Sequence, residues 1–507
     1  MEYTLDQVID KIDQFSDNAL FNAIIDSDSY KTSHWPQYPK GTKKVVSYLE
    51  SRGGMFQETV QFGFTYTIKK YLVGVVITHE MIDVAKAIIV AHMGGIPENF
   101  NEAGWRYIVD ECGGKLPLKI DILPEGYRVG IHNALAVITN TDDNCYWLVN
   151  YIETMFLRTW YPITVATLSY EIKKVIAHYL EVSGTPESID FKLQDFGSRG
   201  VTCREQAQIG GAAHLVNFMG SDTMIAIPTI LKYYNGDKMP AYSVPASEHS
   251  TMTSWGRDNE TAAVKNMLDI YPKGIVSIVA DSYDVFNFAE NIIGKVLKAQ
   301  VQNREGVVVI RPDSSDGVKY TIDGIIIKLF DILEAAFGSA KNNKGYKVLP
   351  PYIRVLQGDG MNYGSLSKLC DAIVSAGWSL DNIACFGMGG KLLQGVDRDT
   401  QKFAIKCCAI CTETGEWIEV FKDPITDPGK KSIRGIPSVT YTVGVGFRTN
   451  PTKYTTRQFG ERLVNVFLNG ELTKDAFFGE IRTNVNKDHF GIRVVGANYS
   501  RDEENVD

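Results

Sequence analysis

The chain lacks the features that mark secreted, membrane-spanning and nucleic-acid-binding proteins. Its longest strongly apolar runs, such as YLVGVVIT, fall far below the roughly 20 residues that a membrane-spanning helix needs. A formal net charge of -8 argues against a nucleic-acid binder held mainly by phosphate contacts. The first residues, MEYTLDQVIDKIDQF, are acidic and patterned like an amphipathic helix, which does not fit a signal peptide. We therefore predict a cytoplasmic protein without nucleic-acid or membrane partners.

Cysteine and histidine are too scattered to predict a structural metal site. The closest group of cysteines, KCCAIC, has no second ligand pair and no histidine near it. Its surroundings, QKFAIKCCAICTETGEWIEVF, alternate like a strand and predict buried, reduced thiols. Only 8 of 507 residues are histidine, and one of these, His249, follows Glu248 in the stretch YSVPASEHSTMTSWG. Neither helical nor strand periodicity is clear at that point.

The length of 507 residues predicts two domains, or one barrel plus a second body. In the first 160 residues, KKVVSYLES and LPLKIDILPEGYRVGIHNALAVITNT predict strands. CYWLVNYIETMFLRTWYP predicts a helix that breaks at Pro162. From about residue 163, short runs rich in Val and Ile alternate with helical patterns, which is typical of parallel strands joined by crossover helices. This succession predicts a (β/α) barrel or a doubly wound sheet. The runs are DFKLQDFGSRG, GSDTMIAIP, GIVSIVADSYD, EGVVVIRPDSS, YIRVLQGDG and NIACFGMGG.

Polar residues follow nearly every one of these runs. In a (β/α) barrel the carboxyl ends of the strands open onto one face, and that face carries the active site. A single aspartate after a strand is more often a turn or cap residue. Five charged strand ends followed by a glycine-rich one are hard to explain by capping, so we predict a site there. The residues are Asp195, Arg199, Asp222, Asp281, Arg311, Asp313, Asp359 and the segment 387–390.

The types of residue at these ends suit a phosphorylated, sugar-like ligand. Glycines in FGMGG let backbone N–H groups approach an anion, and Asp359 in QGDG suits a pair of sugar hydroxyls. Asp281 and Asp313 could hold Mg²⁺, which prefers carboxylate, water and phosphate oxygens. Downstream basic residues could bind phosphates, although FKDPITDPGKKS also fits a solvated loop. They are Arg398, Lys406, Lys422, Lys430 and Lys431.

Nine motifs, in order, resemble those of the nicotinamide phosphoribosyltransferase family. They are DSDSYKTSHWPQYP, QDFGSRGV, HLVNFMGSDT, YSVPASEHST, VADSYD, IRPDS, LPPYIRVLQGDG, FGMGGKLLQ and VFKDPITDP, and the resemblance extends from about residue 22 to about residue 480. It implies an α/β fold, with an irregular (β/α) barrel of the type II phosphoribosyltransferase kind in residues 161–395. Residues 1–160 and 396–507 would together build a second, α+β domain.

The resemblance also implies an activity. The family transfers a phosphoribosyl group from 5-phosphoribosyl 1-diphosphate to nicotinamide, giving nicotinamide mononucleotide and diphosphate for NAD salvage. Mg²⁺ is the implied cofactor, ATP the implied co-substrate, and a homodimer with shared active sites the implied assembly. Mg²⁺ and basic residues would stabilise the diphosphate as an oxocarbenium-like transition state forms.

Site residues follow from the matched motifs. Phe196 would stack on one face of the pyridine ring, and Tyr30 of a second subunit on the other. Asp222 would accept a hydrogen bond from the carboxamide, and Arg311 would donate one to its oxygen. Arg199, Gly389 and Gly390 would hold the ribose phosphate, and Gly358, Asp359 and Asp313 the ribose hydroxyls. Ser243, Ser277 and the phosphate-directed Arg52, Arg398, Lys406, Lys422 and Lys430 complete the predicted substrate-binding set.

His249 resembles the histidine that accepts phosphate from ATP in this family. A neutral imidazole nitrogen is a competent nucleophile, and Glu248 or a nearby acid would orient the ring through the other nitrogen. The alternative is a capping or core histidine.

Some residues depart from the family pattern, and other functions remain open. Ser198 stands where an aromatic is often found, and Met388 and Lys391 flank Gly389 and Gly390. Ser198 could loosen the phosphate pocket and Lys391 could add a contact, so the resemblance does not fix the affinity for the phosphate. Three alternatives are a nicotinate or other pyridine phosphoribosyltransferase, a non-catalytic nucleotide-binding relative, and a barrel hydrolase that acts through paired carboxylates. Asp222 argues against nicotinate as the substrate, because two carboxylates would repel each other.

Overall fold

A computed structural model describes residues 22–236, 238–452 and 460–486. The predicted N-terminal helix and the acidic C-terminal tail lie outside these residues. The strands are β1 Thr42–Ser51, β2 Glu58–Val60, β3 Leu118–Ile122, β4 Arg128–Gly130, β5 Ala134–Asn140, β6 Leu193–Asp195, β7 Gly220–Ser221, β8 Lys273–Val279, β9 Glu305–Arg311, β10 Ala340–Lys341, β11 Lys347–Val348, β12 Ile353–Gln357, β13 Ile383–Met388, β14 Phe403–Thr412, β15 Trp417–Glu419, β16 Ile436–Thr442, β17 Gly446–Thr452, β18 Val464–Leu468 and β19 Glu471–Leu472.

The helices alternate with the strands from β6 to β13. They are α1 Phe64–Tyr71, α2 His79–His92, α3 Glu102–Cys112, α4 Leu148–Tyr151, α5 Glu153–Leu157, α6 Trp160–Ser183, α7 Arg204–His214, α8 Ala226–Tyr233, α9 His249–Thr253, α10 Glu260–Ile270, α11 Val285–Asn287, α12 Lys298–Gln302, α13 Ile322–Phe337, α14 Tyr363–Ser375, α15 Gly390–Leu393 and α16 Phe478–Asn486. A π-helix, Phe288–Val296, continues α11.

Six parallel strands form the first of two large sheets. Their order is β7–β6–β13–β12–β9–β8. One segment, residues 242–246, bridges both outer strands: Tyr242 pairs with Gly220 and Ala246 pairs with Ser277, each in parallel. The backbone N–H of Ser277 donates to the carbonyl oxygen of Pro245 at 3.0 Å. The sheet therefore curls into the irregular barrel that was predicted.

The second large sheet is antiparallel and takes strands from both ends of the chain. Its order is β15–β14–β1–β5–β3–β18–β19. β1 lies between β14 and β5, with Leu49 opposite Ile405 on one side and Ala136 on the other. β1 is buried along most of its length because its apolar residues face neighbours on both sides of the sheet.

Two hydrophobic cores correspond to the two sheets. One contains the barrel strands with α6, α13 and α14, and the other surrounds the antiparallel sheet. Phe478, Ile481 and Val485 of α16 belong to the barrel core, so the last described helix packs on the barrel. The domain boundaries at residues 160 and 395 stay a prediction.

Two local predictions were wrong. Pro162 does not break a helix but lies in the first turn of α6, where its missing N–H costs no hydrogen bond. GSDTMIAIP is not one strand, because β7 ends at Ser221 and the apolar residues that follow lead into α8. A short apolar run suits a buried strand and a buried helix equally well, so its pattern did not distinguish them.

The cysteines are free thiols, which was predicted for those of KCCAIC from their strand-like surroundings. KCCAIC lies within β14, with Cys408 buried and Cys407 and Cys411 half-buried. Across the described ranges, no cluster of three His, Cys, Asp or Glu side chains could hold a metal ion. In the same ranges, no helix has both the length and the apolar character needed to span a bilayer.

Candidate active site

Four of the charged residues at the carboxyl ends of the barrel strands, Asp281, Arg311, Asp313 and Asp359, share one electrostatic environment. Asp313, just after β9, shows this most clearly. Burial raises the pKa of its carboxyl group, and the neighbouring Asp281 and Asp359 raise it further. The Arg311 guanidinium and His249 act in the opposite direction. Residues from four separate loops therefore interact at one face of the barrel, as the sequence predicted.

Phe196 leaves the end of β6 with its ring against glycine backbone. Its N–H donates to the carbonyl oxygen of Met388 at 2.9 Å, which joins this loop to β13. A Cβ built on Gly387 would lie 2.2 Å from Cε2 of Phe196, and one built on Gly358 would lie 3.7 Å from it. Only a residue without a side chain at 387 leaves room for this ring position. The half-buried ring is a flat apolar surface at the mouth of the barrel.

Asp222 presents an exposed carboxylate that two side chains hold in place. Oδ1 accepts hydrogen bonds from Nε2 of Gln194 at 2.8 Å and from the hydroxyl of Ser243 at 2.5 Å. The backbone N–H of Asp222 donates to the carbonyl oxygen of Asp195 at 2.9 Å.

Asp195 is fully buried and ties two loops of the site together. Its Oδ1 accepts the N–H of Gly197 at 2.7 Å, and its Oδ2 accepts the hydroxyl of Ser221 at 3.3 Å. Gly197 follows Phe196 and Ser221 precedes Asp222. One buried carboxylate therefore fixes the spacing between the aromatic ring and the exposed carboxylate.

Arg311 and Ser277 leave polar atoms without protein partners beside these groups. Nη2 of Arg311 donates to the carbonyl oxygen of Ser247 at 3.0 Å. Nε of Arg311 and the hydroxyl of Ser277 are buried, and neither has a hydrogen-bond partner among the described residues. Buried polar atoms are nearly always paired in folded proteins, so both atoms are suited to contact a bound ligand.

His249 begins α9 and contacts Asp281. Its Nε2 lies 3.0 Å from Oδ1 of Asp281, and 47% of the histidine side chain is exposed whereas 8% of the aspartate is. The Glu248 carboxylate instead accepts the hydroxyl of Ser250. The prediction was that Glu248 or a nearby acid orients the imidazole; the structure places Asp281 against the ring, and Glu248 helps to begin the helix.

The glycine-rich loop after β13 meets the loop that carries Arg199. A Cβ on Gly200 would lie 2.9 Å from Cα of Gly390, so the two loops approach backbone to backbone. Arg199, Ser198 and Lys391 are exposed, whereas Met388 is fully buried. Asp359 lies at the neighbouring loop, where its carbonyl oxygen accepts Nε2 of Gln357 at 2.8 Å.

A second group of predicted residues lies on the antiparallel sheet. Burial lowers the pKa of Lys406, the positive charges of Arg52 and Lys422 add to this effect, and Glu153 opposes it. The three basic side chains are thus close enough to repel one another. We call Arg52, Lys406, Lys422 and Lys430 the basic cluster.

Lys430 joins this cluster through Asp427. Its Nζ lies 2.8 Å from Oδ2 of Asp427, and this contact lowers the pKa of the aspartate, with Arg52 contributing. Arg398 is exposed and pairs with the adjacent Asp399 at 3.3 Å. FKDPITDPGKKS is indeed a loop with one short 3₁₀ turn, Pro428–Lys430, but its lysines contribute to a shared basic surface.

Tyr30 is also outside the barrel. Its ring is 58% exposed and packs edge-on against His34, with ring centroids 4.8 Å apart. An exposed aromatic ring at this position leaves one face open to a ligand or another chain.

Sequence reasoning missed Gln194 and Glu50. Gln194 lies two residues before Phe196 on β6, and residues two apart in a strand share a face, so this spacing was an available signal. Glu50 looks like an ordinary strand residue between apolar neighbours, and nothing in its local sequence indicates its position beside the basic cluster.

Two solved structures have folds similar to that of this chain. The crystal structure of nicotinate-nucleotide pyrophosphorylase from Pyrococcus furiosus matches with a TM-score of 0.55 and 15% identity, covering 95% of this chain and 96% of that one. Human nicotinic acid phosphoribosyltransferase matches with a TM-score of 0.52 and 13% identity, covering 90% and 92%. These similarities show the fold alone.

Two family models match the sequence directly. Residues 191–471 match the nicotinate phosphoribosyltransferase (NAPRTase) family, and residues 22–120 match the N-terminal domain of nicotinamide phosphoribosyltransferase. The chain is therefore a phosphoribosyltransferase, a pentosyl-transferring enzyme.

Two relatives of similar length show to which family of phosphoribosyltransferases the chain belongs. The nicotinamide phosphoribosyltransferase of Xanthomonas campestris pv. campestris (strain 8004) is 45% identical over 471 residues, which are 91% of this chain and 98% of the relative. That of Acinetobacter baylyi (strain ATCC 33305 / BD413 / ADP1) is 31% identical, covering 90% and 95%. The chain belongs to the nicotinamide phosphoribosyltransferase family.

Proposed function

We propose that this enzyme transfers the phosphoribosyl group of 5-phosphoribosyl 1-diphosphate to the ring nitrogen of nicotinamide, in NAD salvage. The bond from C1 of the ribose to the diphosphate oxygen breaks, and a bond from C1 to the pyridine nitrogen forms. The products are nicotinamide mononucleotide and diphosphate. The observation that carries the choice of substrate is the exposed Asp222 carboxylate, fixed by Gln194 and Ser243 beside the ring of Phe196.

Amide recognition follows from charge and hydrogen bonding. The Asp222 carboxylate accepts from the carboxamide NH₂, and the unpartnered Nε of Arg311 supplies a donor for the carboxamide oxygen. A nicotinate carboxylate would face an anion at Asp222. Sites whose own polar groups would be left unpaired or opposed reject the wrong analogue strongly.

Mg²⁺ is proposed at Asp281 and Asp313. Burial raises the pKa of Asp313 and the charge of Asp281 adds to the rise, so a cation bound by both carboxylates would favour their ionised forms. Two carboxylates suit Mg²⁺, because this ion keeps several waters and takes further oxygens from substrate phosphates. When bound, Mg²⁺ would neutralise charge on the leaving diphosphate. Asp313 and Asp359 would accept hydrogen bonds from ribose hydroxyls, while Arg199 and the loop at Gly389 and Gly390 would bind the 5-phosphate.

A homodimer would bring the basic cluster and Tyr30 of one subunit to the barrel of the other. The proposal is supported by the position of these residues outside the barrel strands: Lys406 lies on β14, Tyr30 in a 3₁₀ turn before β1, and the other basic residues in segments that follow β1 and β15. The basic cluster, with Arg398, suits diphosphate or a nucleotide phosphate. Tyr30 suits the second face of the pyridine ring.

ATP is proposed as a co-substrate that phosphorylates His249. A neutral imidazole that donates Nε2–H to Asp281 keeps a lone pair on Nδ1 for attack on the γ-phosphorus. The bond from that phosphorus to the bridging oxygen of ADP breaks as the bond to Nδ1 forms. The cytoplasmic location and the absence of nucleic-acid and membrane partners stay predictions.

A direct assay tests the substrate. With Mg²⁺, ATP and 5-phosphoribosyl 1-diphosphate, we expect kcat/KM for nicotinamide to exceed that for nicotinate on the order of 100-fold or more. Asp222→Asn should reduce this ratio at least tenfold, because a neutral amide no longer repels nicotinate. Equal rates on the two substrates in the unaltered enzyme would support the pyridine phosphoribosyltransferase alternative. Absence of any mononucleotide would support the non-catalytic one.

A further inference from the structure

We propose that Gln194 is a positioning residue that sets the selectivity for nicotinamide over nicotinate by holding one oxygen of Asp222 and leaving the other for the substrate amide. The inference rests on the proposed function and names a residue on which its selectivity depends.

Both donors to Asp222 reach the same oxygen. Gln194 comes from β6 and Ser243 from the segment that closes the barrel, and each donates to Oδ1. None of the described residues donates a hydrogen bond to Oδ2, although the carboxylate is exposed at the site. A carboxylate held at one oxygen by two independent elements has a fixed orientation, and its second oxygen is the acceptor that remains.

The pairing of β6 with β7 determines the path of the Gln194 side chain. Gln194 pairs with Gly220 in the register between β6 and β7. A Cβ on Gly220 would lie 2.3 Å from Oε1 of Gln194. The side-chain amide therefore passes across Gly220 to reach Asp222, and any larger residue at 220 would occupy the same space.

The chemistry of this contact acts on selectivity more than on the transfer itself. A side-chain amide supplies a donor without a charge, so it holds the Asp222 carboxylate without offsetting the repulsion of a second anion. If the donor is lost, Asp222 keeps only the hydrogen bond from Ser243 and gains freedom to turn. This freedom weakens the discrimination against nicotinate while the ribose and phosphate contacts stay in place.

Two near-isosteric variants test the proposal. Gln194→Met removes the donor and keeps the length of the side chain, and we expect the nicotinamide to nicotinate ratio of kcat/KM to fall about tenfold, with KM for 5-phosphoribosyl 1-diphosphate unchanged. Gln194→Glu places a second carboxylate against Asp222. The pair would share a proton and offer a donor to nicotinate, so the ratio should fall further. Gln302→Glu, at an exposed position at the end of α12, makes the same charge change away from the site and should leave the ratio as it is.

The outcomes that would refute the role of Gln194 differ from the outcome that would refute the proposed function. A ratio that stays within twofold of the unaltered enzyme in folded Gln194→Met would overturn the role of Gln194. Equal losses on both pyridines would do the same, because they indicate a general structural effect. If Gln194→Met does not fold, Gln194→Glu decides by the same two criteria. Failure of the unaltered enzyme to prefer nicotinamide would refute the proposed function instead.

Discussion

Glu50 lies beside the basic cluster with 3% of its surface exposed. Burial raises the pKa of its carboxyl group to about 7, although Arg52, Lys406 and a hydrogen bond with the hydroxyl of Tyr48 act against the rise. The hydroxyl of Tyr48 lies 3.3 Å from Oε1 of Glu50 and also accepts the N–H of Ile433 at 2.7 Å. A carboxyl group that titrates near neutral pH changes both stability and the charge of the cluster.

We expect Glu50→Gln to gain stability relative to the unaltered enzyme as the pH rises from 5 to 8. The folded-state pKa of about 7 lies above the ordinary value of 4.5. The protonated Glu50 carboxyl group therefore stabilises the folded state fully below pH 4.5, and this stabilisation is lost as the pH rises through 7. Glutamine stays neutral throughout. Thermal unfolding at each pH measures the difference, with exposed Glu187→Gln as the control; a Tm difference that does not vary with pH would refute this account of Glu50.

His249→Ala should retain transferase activity and lose its stimulation by ATP. The variant has no nucleophile for the γ-phosphate, whereas the groups assigned to the pyridine and ribose remain. Mononucleotide formation with and without ATP measures the effect. His178→Ala, an exposed histidine on α6, should keep the stimulation. Undiminished stimulation in His249→Ala would remove this residue from its proposed role.

Individual residues were predictable where a motif joined an unusual residue to a strand end. Asp222 and Asp313 were selected in this way, whereas His249 was selected beside Glu248 in an irregular stretch; the roles of all three stay predictions. The partners that hold them were less visible, because Gln194 on β6 reaches Asp222, and Asp281 after β8 reaches His249, only once the barrel has folded. Sequence reasoning gave Glu248 as one acid that could orient His249, but the closure of the barrel brings Asp281 to the ring.

At the scale of elements, the end of β13 controls the position of Phe196. We expect Gly387→Ala to raise KM for nicotinamide about tenfold, since a Cβ 2.2 Å from the ring must displace it. KM for 5-phosphoribosyl 1-diphosphate should change little. Steady-state kinetics with each substrate varied separately measure both constants.

Gly479→Ala is the matched control, because a Cβ there would meet no heavy atom within 4 Å. It should leave both KM values unchanged. An unchanged KM for nicotinamide in folded Gly387→Ala would contradict the proposed stacking surface.

The apolar runs predicted β8, β9, β12 and β13 well, because buried parallel strands need continuous Val and Ile. They did not predict the segment that closes the barrel. Pro240 and Pro245 lack N–H donors, so residues 242–246 pair through two isolated bridges without forming a regular strand. Ser243 was predicted as a substrate-binding residue from the resemblance alone, and its contact with Asp222 from this irregular segment became visible only in the fold.

At the scale of the whole molecule, the antiparallel sheet joins β1, β3 and β5 to β14, β15 and β18 from the other end of the chain. Pairings between strands that lie hundreds of residues apart leave no local pattern. The domain composition was therefore inferred from family resemblance. The same limit applies to the dimer, since exposure of Tyr30 does not by itself identify what covers it.

Mixed subunits test the shared site. Tyr30→Ala and Phe196→Ala are each expected to lose most activity, because each removes one face of the pyridine clamp. After dissociation and random reassociation in equal amounts, about half of the dimers contain both chains. One of their two sites is intact, which restores about a quarter of the original sites. Each variant reassociated with itself is the control, and activity no greater than these controls would contradict a site shared between subunits.

A crystal structure of the enzyme with nicotinamide bound tests the central claim most directly, which is that loops from separate barrel strands form one site for a pyridine amide. We expect the ring against Phe196, the carboxamide nitrogen within hydrogen-bond distance of Oδ2 of Asp222, and the carboxamide oxygen near Nε of Arg311. A ring bound away from Phe196, or a carboxamide that contacts neither Asp222 nor Arg311, would contradict the account.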